Sequence, residues 1–489
     1  MRKINIFRDV MMLVYARGVN MFASMAYGMI LVRVFSKEQY GAYSQVLIII
    51  NLCVVILGLS VPNSINYFLP KSKDIKEKRA ILSQIILLTN LLGITAALFL
   101  LIGRNIISKL IDGDISSLLV VACLLPFARM LSPLYDDFFV VVNKAEKVAV
   151  RRSIIAAVQI ITVSLVWFFK LNVFQLFLVI TVTEILIGIY IIFSIRKEIR
   201  ELTFFKIDWK VIKSILIFSL PLAAASTVGT INTEIGKIIV SKFYGVEKLA
   251  EYANMSKELP LIIIASSVTA VFIPQISKLI GKHDFNSAVD LWKKSIEVTY
   301  LTNSWIIGIL LVLAKECVDI LYSSKYLDGV NIFRIFVVVL LFRLTYFGMI
   351  LNGMGQSKKI LISAIYALIS NILFFLILNP FLGYVSIPIS VLLSVIVMNA
   401  SQLLFTVRAL NIKLSSIIPF GRIMLIFLVN LLIGCFIYFL KDFLLKDIHL
   451  NSVVSLMSMS VIWLILYALV FFKPILQLKK ELTFSEKRS

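Results

Sequence analysis

The sequence predicts an all-α integral membrane protein: about fourteen transmembrane helices, forming two pseudo-symmetric six-helix lobes with two further helices at the C-terminus. Three observations carry this. Of 489 residues, 60% are hydrophobic and 16% charged, against roughly 45–50% and about 25% in ordinary globular chains, so too little polar surface remains to face water. The apolar residues come in runs of about twenty or more, the length at which a helix crosses a hydrocarbon core. Corresponding segments also recur about half a chain apart.

The first six spans read as Val10 to Val34, Tyr40 to Leu69, Arg79 to Ile102, Ser116 to Val142, Val150 to Phe169 and Asn172 to Ile195. A polar stretch, Arg196 to Lys213, follows. Spans seven to ten are Ile215 to Lys242, Asn254 to Ile280, Leu291 to Leu313 and Val330 to Gly353. Spans eleven to fourteen are Ile360 to Asn379, Gly383 to Val407, Ile418 to Leu440 and His449 to Phe472. Runs such as Ile81 to Leu101 are apolar on every face, unlike the short alternating segments of barrel strands. The first run carries Arg17 and ends at Arg33 rather than at a small-residue cleavage site, so it is expected to stay as a helix.

The repeat is weak but ordered. RVFSKEQYGAY (Arg33 to Tyr43) follows span one, and KFYGVEKLAEY (Lys242 to Tyr252) follows span seven. One helix later, VPNSINYFLPK (Val61 to Lys71) is answered by IPQISKLIGKH (Ile273 to His283), with Pro62 matching Pro274. An even number of spans separates the copies, so the lobes share one topology. The expected division is 1–195 for the N-terminal lobe, 196–213 for a cytoplasmic linker, 214–408 for the C-terminal lobe, and 409–489 for spans thirteen and fourteen with a cytoplasmic tail.

Lys and Arg number 49 against 27 Asp and Glu, a formal charge of +22. In a soluble protein this would suggest nucleic acid; in a multispanning one it reads as topology. With the N-terminus inside, roughly 32 basic residues fall on the cytoplasmic side and roughly 13 on the other, which predicts both termini in. The four cysteines, Cys53, Cys123, Cys317 and Cys435, have no metal or disulfide spacing, and His283 and His449 are the only histidines. Histidine- or metal-based catalysis lacks material, and no catalytic residue, metal site or cofactor is expected.

The segments Arg33 to Tyr43, Ser219 to Pro221, Gly245 to Tyr252 with Pro274, and Leu351 to Lys359 (LNGMGQSKK) resemble the polysaccharide transport or O-antigen flippase family. That family belongs to the multidrug, oligosaccharidyl-lipid and polysaccharide exporter superfamily. The resemblance covers nearly the whole chain but includes no catalytic motif. It implies two lobes that alternate access to a central cavity and carry undecaprenyl-pyrophosphate-linked oligosaccharide across the bacterial cytoplasmic membrane. Implied partners are that lipid-linked substrate, membrane lipids, a polysaccharide polymerase and a chain-length regulator, with no nucleic acid. A flippase for the peptidoglycan lipid precursor and a cation-coupled multidrug exporter are the alternatives on the same fold.

Four cations lie inside spans: Arg17, Arg129, Lys237 and Arg343. Each costs about 2.5–3.5 kcal/mol to insert, so each is expected to face a partner, a wet cavity or a ligand. They fall in spans one, four, seven and ten, which correspond across the repeat. A cavity lined by them suits a pyrophosphate, and arginine offers the planar fork that phosphate oxygens accept. The competing reading is structural pairing: Asp136 and Asp137 follow Arg129 by one to two turns, and Glu234 shares a helix face with Lys237. Asp136, Asp137, Glu184 and Glu234 are the candidate proton or sodium coupling sites.

Overall fold

The computed structural model describes residues 6–72, 74–199, 207–257, 259, 272–273, 275–445 and 451–486. Every regular element among these is helical. Among the described residues ten stretches are long and apolar enough to cross a membrane, one of them the continuous hairpin Ser357–Leu410. In lipid the backbone must satisfy its own hydrogen bonds, which is why runs this apolar fold as helices. The chain is a multi-pass membrane protein. Most of span eight, with Pro274, and residues 200–206 of the linker lie outside the described residues.

The chain divides into two compact units, Met1–Ala253 and Asn254–Ser489. The first contains α1 (Ile6–Val34), α2 (Lys37–Gly58), α3 (Ile65–Lys71), α4 (Ile75–Ile111), α5 (Ser116–Ala122), α6 (Leu125–Val141), α7 (Ala145–Phe169), α8 (Val173–Glu198) and α9 (Trp209–Tyr244). Helix α10 (Val246–Met255) follows. Within the first unit α1 packs along α7, α6 against α4 and α8, and α9 against α2 and α4. Span four is two helices rather than one, with α5 and α6 meeting at Cys123 and Leu124.

The motif after span one has a physical reason. Ser36 caps α2: its hydroxyl accepts from the Gln39 N–H, and the Gln39 side chain accepts from the Ser36 N–H, both at 3.1 Å. This reciprocal box satisfies two donors that the first helical turn would otherwise leave open. Gly41 is small because the Val246 carbonyl oxygen stands 2.1 Å from where its Cβ would lie. At the far end of the unit, Asp136 on α6 accepts from Arg151 at 2.7 Å and from Arg152 at 2.9 Å. Beside them Glu198 closes α8 against Lys147 at 2.8 Å and against Lys144.

The second unit contains α11 (Phe285–Val312), α12 (Ala314–Tyr322), α13 (Val330–Arg343), α14 (Met349–Gly353), α15 (Ser357–Leu382), α16 (Ser386–Leu410), α17 (Leu414–Ile417), α18 (Phe420–Leu445) and α19 (Ser452–Glu486). Helices α15 and α16 form a hairpin whose reversal uses Gly383 at φ +51°. Helix α18 lies parallel to α11. Glu297 of α11 pairs with Arg422 at the start of α18, Ser304 meets Asn430 midway at 3.2 Å, and Glu316 of α12 pairs with Lys441 near the end of α18. Helix α19 joins them through Trp463, whose indole donates to Asn430 at 3.3 Å, and Tyr467, which donates to the Leu301 carbonyl at 2.8 Å. The Trp463 ring is wholly buried in a notch of two glycines: a Cβ would stand 2.4 Å from it at Gly308 and 3.2 Å from it at Gly434.

Candidate functional site

Helices α2 and α9 of the first unit run antiparallel and are joined by a line of polar pairs. The Gln45 amide donates to Ser241 at 2.8 Å, and Ser241 donates in turn to the Ile111 carbonyl at 3.3 Å. Midway, Asn51 donates to Glu234 at 3.4 Å. Past the end of α2, Ser60 and Ser226 lie 3.2 Å apart. Buried polar pairs between membrane helices average about 0.6 kcal/mol, so three rungs contribute about 2 kcal/mol, enough to set register and small enough to break.

The middle rung extends into a charged cluster. Arg129 on α6 donates to the Asn51 side-chain Oδ1 at 3.4 Å, and Lys237 donates to Glu234 at 3.0 Å across one turn of α9. Glu234 is 6% exposed, while the Lys237 side chain keeps 25% of its surface accessible. Two cations and one carboxylate leave the cluster at a net charge of +1. Among the described residues Asn51 is the one hydrogen-bond partner of Arg129, so most of its five N–H donors are unspent. An incompletely satisfied guanidinium beside an ammonium is an arrangement for receiving an anion.

Three of the eight sequence candidates, Arg129, Lys237 and Glu234, are therefore brought together. Arg17 lies on α1, but its side chain falls outside the described residues. Asp136 does not meet Arg129; it is held by Arg151 and Arg152, which come from the next helix. Asp137 lies against the Asn66 side chain of α3. Glu184 is half-buried on α8, and no hydrogen bond or ion pair among the described residues joins it to the cluster. Arg343 ends α13 in the second unit, in a pocket with Leu259, Phe333 and Phe336. Asn51 was not singled out from the sequence. The available signal was a lone amide inside the apolar run Ile48 to Cys53, which in a membrane helix marks an interhelical contact.

The second unit also holds an apolar cavity of about 550 Å³ between α11, α13, α18 and α19, walled by Leu311, Val338, Leu341, Phe427 and Leu431 beside Trp463. Its volume is in the range of small-ligand sites, and its walls are mainly apolar, with Arg334 as the one charged residue lining it.

Residues 6–280 match the family described as "Polysaccharide biosynthesis protein". The chain belongs to that family. Among relatives of the polysaccharide biosynthesis protein family, the capsular polysaccharide biosynthesis protein CapF of Staphylococcus aureus is 23% identical over 359 residues, 72% of this chain and 85% of CapF. A probable lipid II flippase MurJ of Rhizobium meliloti is 27% identical over 112 residues, 23% of this chain and 21% of that protein. The fold is shared with the lipid II flippase MurJ in an inward closed conformation, at a TM-score of 0.74 and 17% identity, over 95% of this chain and all of that one. It is also shared with an inward-facing multidrug resistance transporter of the MATE family, in the MOP superfamily, at a TM-score of 0.65 and 14% identity, over 80% of this chain and 95% of that one.

Proposed function

We propose that this member of the polysaccharide biosynthesis protein family translocates an undecaprenyl-pyrophosphate-linked oligosaccharide across the bacterial cytoplasmic membrane. Delivery of repeat units for O-antigen, capsule or another surface polysaccharide is the purpose this serves, by alternating access and with no bond made or broken. The observation that carries the proposal is the Arg129–Asn51–Glu234–Lys237 cluster, a net positive charge held among membrane helices. A diphosphate leaves water only where such charge replaces its hydration. Arg129 supplies the fork and Lys237 the point charge, and Arg17 and Arg343 are further substrate-binding candidates. Glu234 shares its carboxylate between Lys237 and Asn51, which makes it the first candidate for proton or sodium coupling, ahead of Glu184, Asp136 and Asp137.

The orientation that goes with this reading has both termini in the cytoplasm, since basic residues resist translocation. The six-plus-six division at 195 and 214 and a polymerase and chain-length regulator as partners belong to the same reading. Lipid II is the second reading, favoured by the MurJ likeness over 95% of the chain. The deciding experiment reconstitutes the full chain in proteoliposomes with a fluorescent undecaprenyl-diphosphate oligosaccharide or with lipid II. Protein-dependent access of the first substrate to the outer leaflet supports the proposal. Transport of lipid II alone establishes the second reading, and transport of neither refutes both. Labelling checks orientation separately: a cysteine replacing Lys76 should stay unreactive toward an impermeant reagent in intact cells.

A further inference from the structure

The parallel pair α11 and α18 presents a charged cavity of about 590 Å³ near the end where both helices begin. Its charged lining is Asp290, Lys293, Lys294 and Glu297 from α11 and Arg422 from α18. Four of these five are paired with each other: Arg422 with Glu297, and Lys294 with Asp290 at 3.3 Å. Lys293 has no hydrogen bond or ion pair among the described residues, and it leaves the pocket at a net charge of +1.

The other wall is apolar and open. Ile418, Pro419 and Phe420 lead into α18, and Phe420 keeps 55% of its surface exposed. Beyond its chain neighbours and its own helix backbone, nothing among the described residues lies within 4 Å of where a Cβ of Gly421 would stand. The N–H groups of Gly421 and Arg422 belong to the first turn of α18, which has no intrahelical acceptor for them. Both helices are long and apolar enough to cross a membrane, and the pocket lies among the charged residues near their starts, where the headgroup level is expected.

We propose that this pocket binds the phosphodiester headgroup of an anionic phospholipid, which neutralises Lys293 and lays its glycerol and upper acyl atoms on Ile418, Pro419 and Phe420. A phosphodiester carries one negative charge, matching the pocket's surplus of one cation. Inorganic phosphate lacks an apolar body to use the wall, and a diphosphate carries more charge than Lys293 balances. A basic pocket between helices at the headgroup level is a known physical basis for anionic-lipid recognition. The bound lipid also touches Arg422, the residue that ties α18 to Glu297 of α11, so it fastens the C-terminal helix pair to the rest of its unit. The inference is independent of what the protein transports.

The test uses the full chain, purified in mild detergent, with retained lipid counted by native mass spectrometry. Phosphatidylglycerol should remain bound and phosphatidylcholine should not. Lys293→Ala should lower phosphatidylglycerol retention about fivefold, and Lys293→Arg should restore it. Lys293 has no hydrogen-bond or ion-pair partner to lose among the described residues, and helical content and melting temperature are measured beside each variant. Equal retention by the parent and Lys293→Ala, or equal retention of the two lipids, would overturn the proposal. Displacement of phosphatidylglycerol by millimolar inorganic phosphate would assign the pocket to free phosphate, and preferential binding of undecaprenyl diphosphate would assign it to the carrier; either result overturns it.

Discussion

Replacing Arg129 by glutamine separates a structural role from a substrate-binding one. The stability cost is small, because the side chain gives up a single bond to Asn51 at 3.4 Å, near the long limit of hydrogen bonding. That bond is worth about 1 kcal/mol at most, and the Asn51 contact to Glu234 remains. The binding cost is larger. The cluster's net charge falls from +1 to zero, and a charge-assisted bond to a phosphate oxygen, worth about 1.5–3 kcal/mol, is lost. Affinity for a lipid-linked diphosphate oligosaccharide should fall about ten- to hundredfold. Arg129→Lys should lie between, keeping the charge but not the fork. The assay is equilibrium binding to the protein in lipid nanodiscs, paired with membrane abundance and surface polymer in cells. If Arg129→Gln is as abundant as the parent and binds and delivers as well, the cluster is structural and the reasoning fails.

Glu234→Gln raises the cluster's charge by one and frees Lys237, so the diphosphate should bind more tightly and turnover should slow; binding and flux in proteoliposomes check this. Cysteines replacing Gln45 and Ser241, whose side chains touch at 2.8 Å, should be joined by a short bifunctional thiol reagent with a reducible spacer and block transport reversibly if α2 and α9 part during the cycle. Full cross-linking with unaltered transport would show that they move together. Gly308→Ala puts a methyl 2.4 Å from the Trp463 ring; such overpacking costs about 1–3 kcal/mol, and the apparent melting temperature in detergent should drop, with recovery when Trp463→Phe is added.

The helices were legible because lipid leaves the backbone no other choice, but the runs read as spans two, four and ten each break into two α-helices. The Lys237–Glu234 contact was legible for a similar reason: it lies within one helix at a three-residue spacing, which local geometry dictates. The partner of Asp136 was not. Spacing on its own helix pointed to Arg129, whereas the packing of α7 on α6 delivers Arg151 and Arg152, and no periodicity encodes which neighbour a helix will meet. Asn51 was hidden in the same way, since its role depends on α6 and α9 arriving on either side of it. The break of span four at Cys123 and Leu124 has its cause in Pro126, in the first turn of α6, which has no N–H to bond the Ala122 carbonyl four residues back; hydropathy shows an unbroken run, but the proline marks the stop.

The indole of Trp463 filling the hollow above Gly308 and Gly434 makes three distant positions into one inherited unit. A side chain at Gly308 evicts the ring and one at Gly434 crowds it, and a smaller residue at 463 leaves a void that a compensating enlargement at the glycines fills. Substitutions there should travel through descent in pairs or triplets, with a solitary change rare. Chains that carry glycine, glycine and tryptophan at these places are then expected to dock their last two helices as this one does. Those that lack the trio must fasten the same helices elsewhere, so this small set of letters sorts the lineages by the architecture of their C-terminal end.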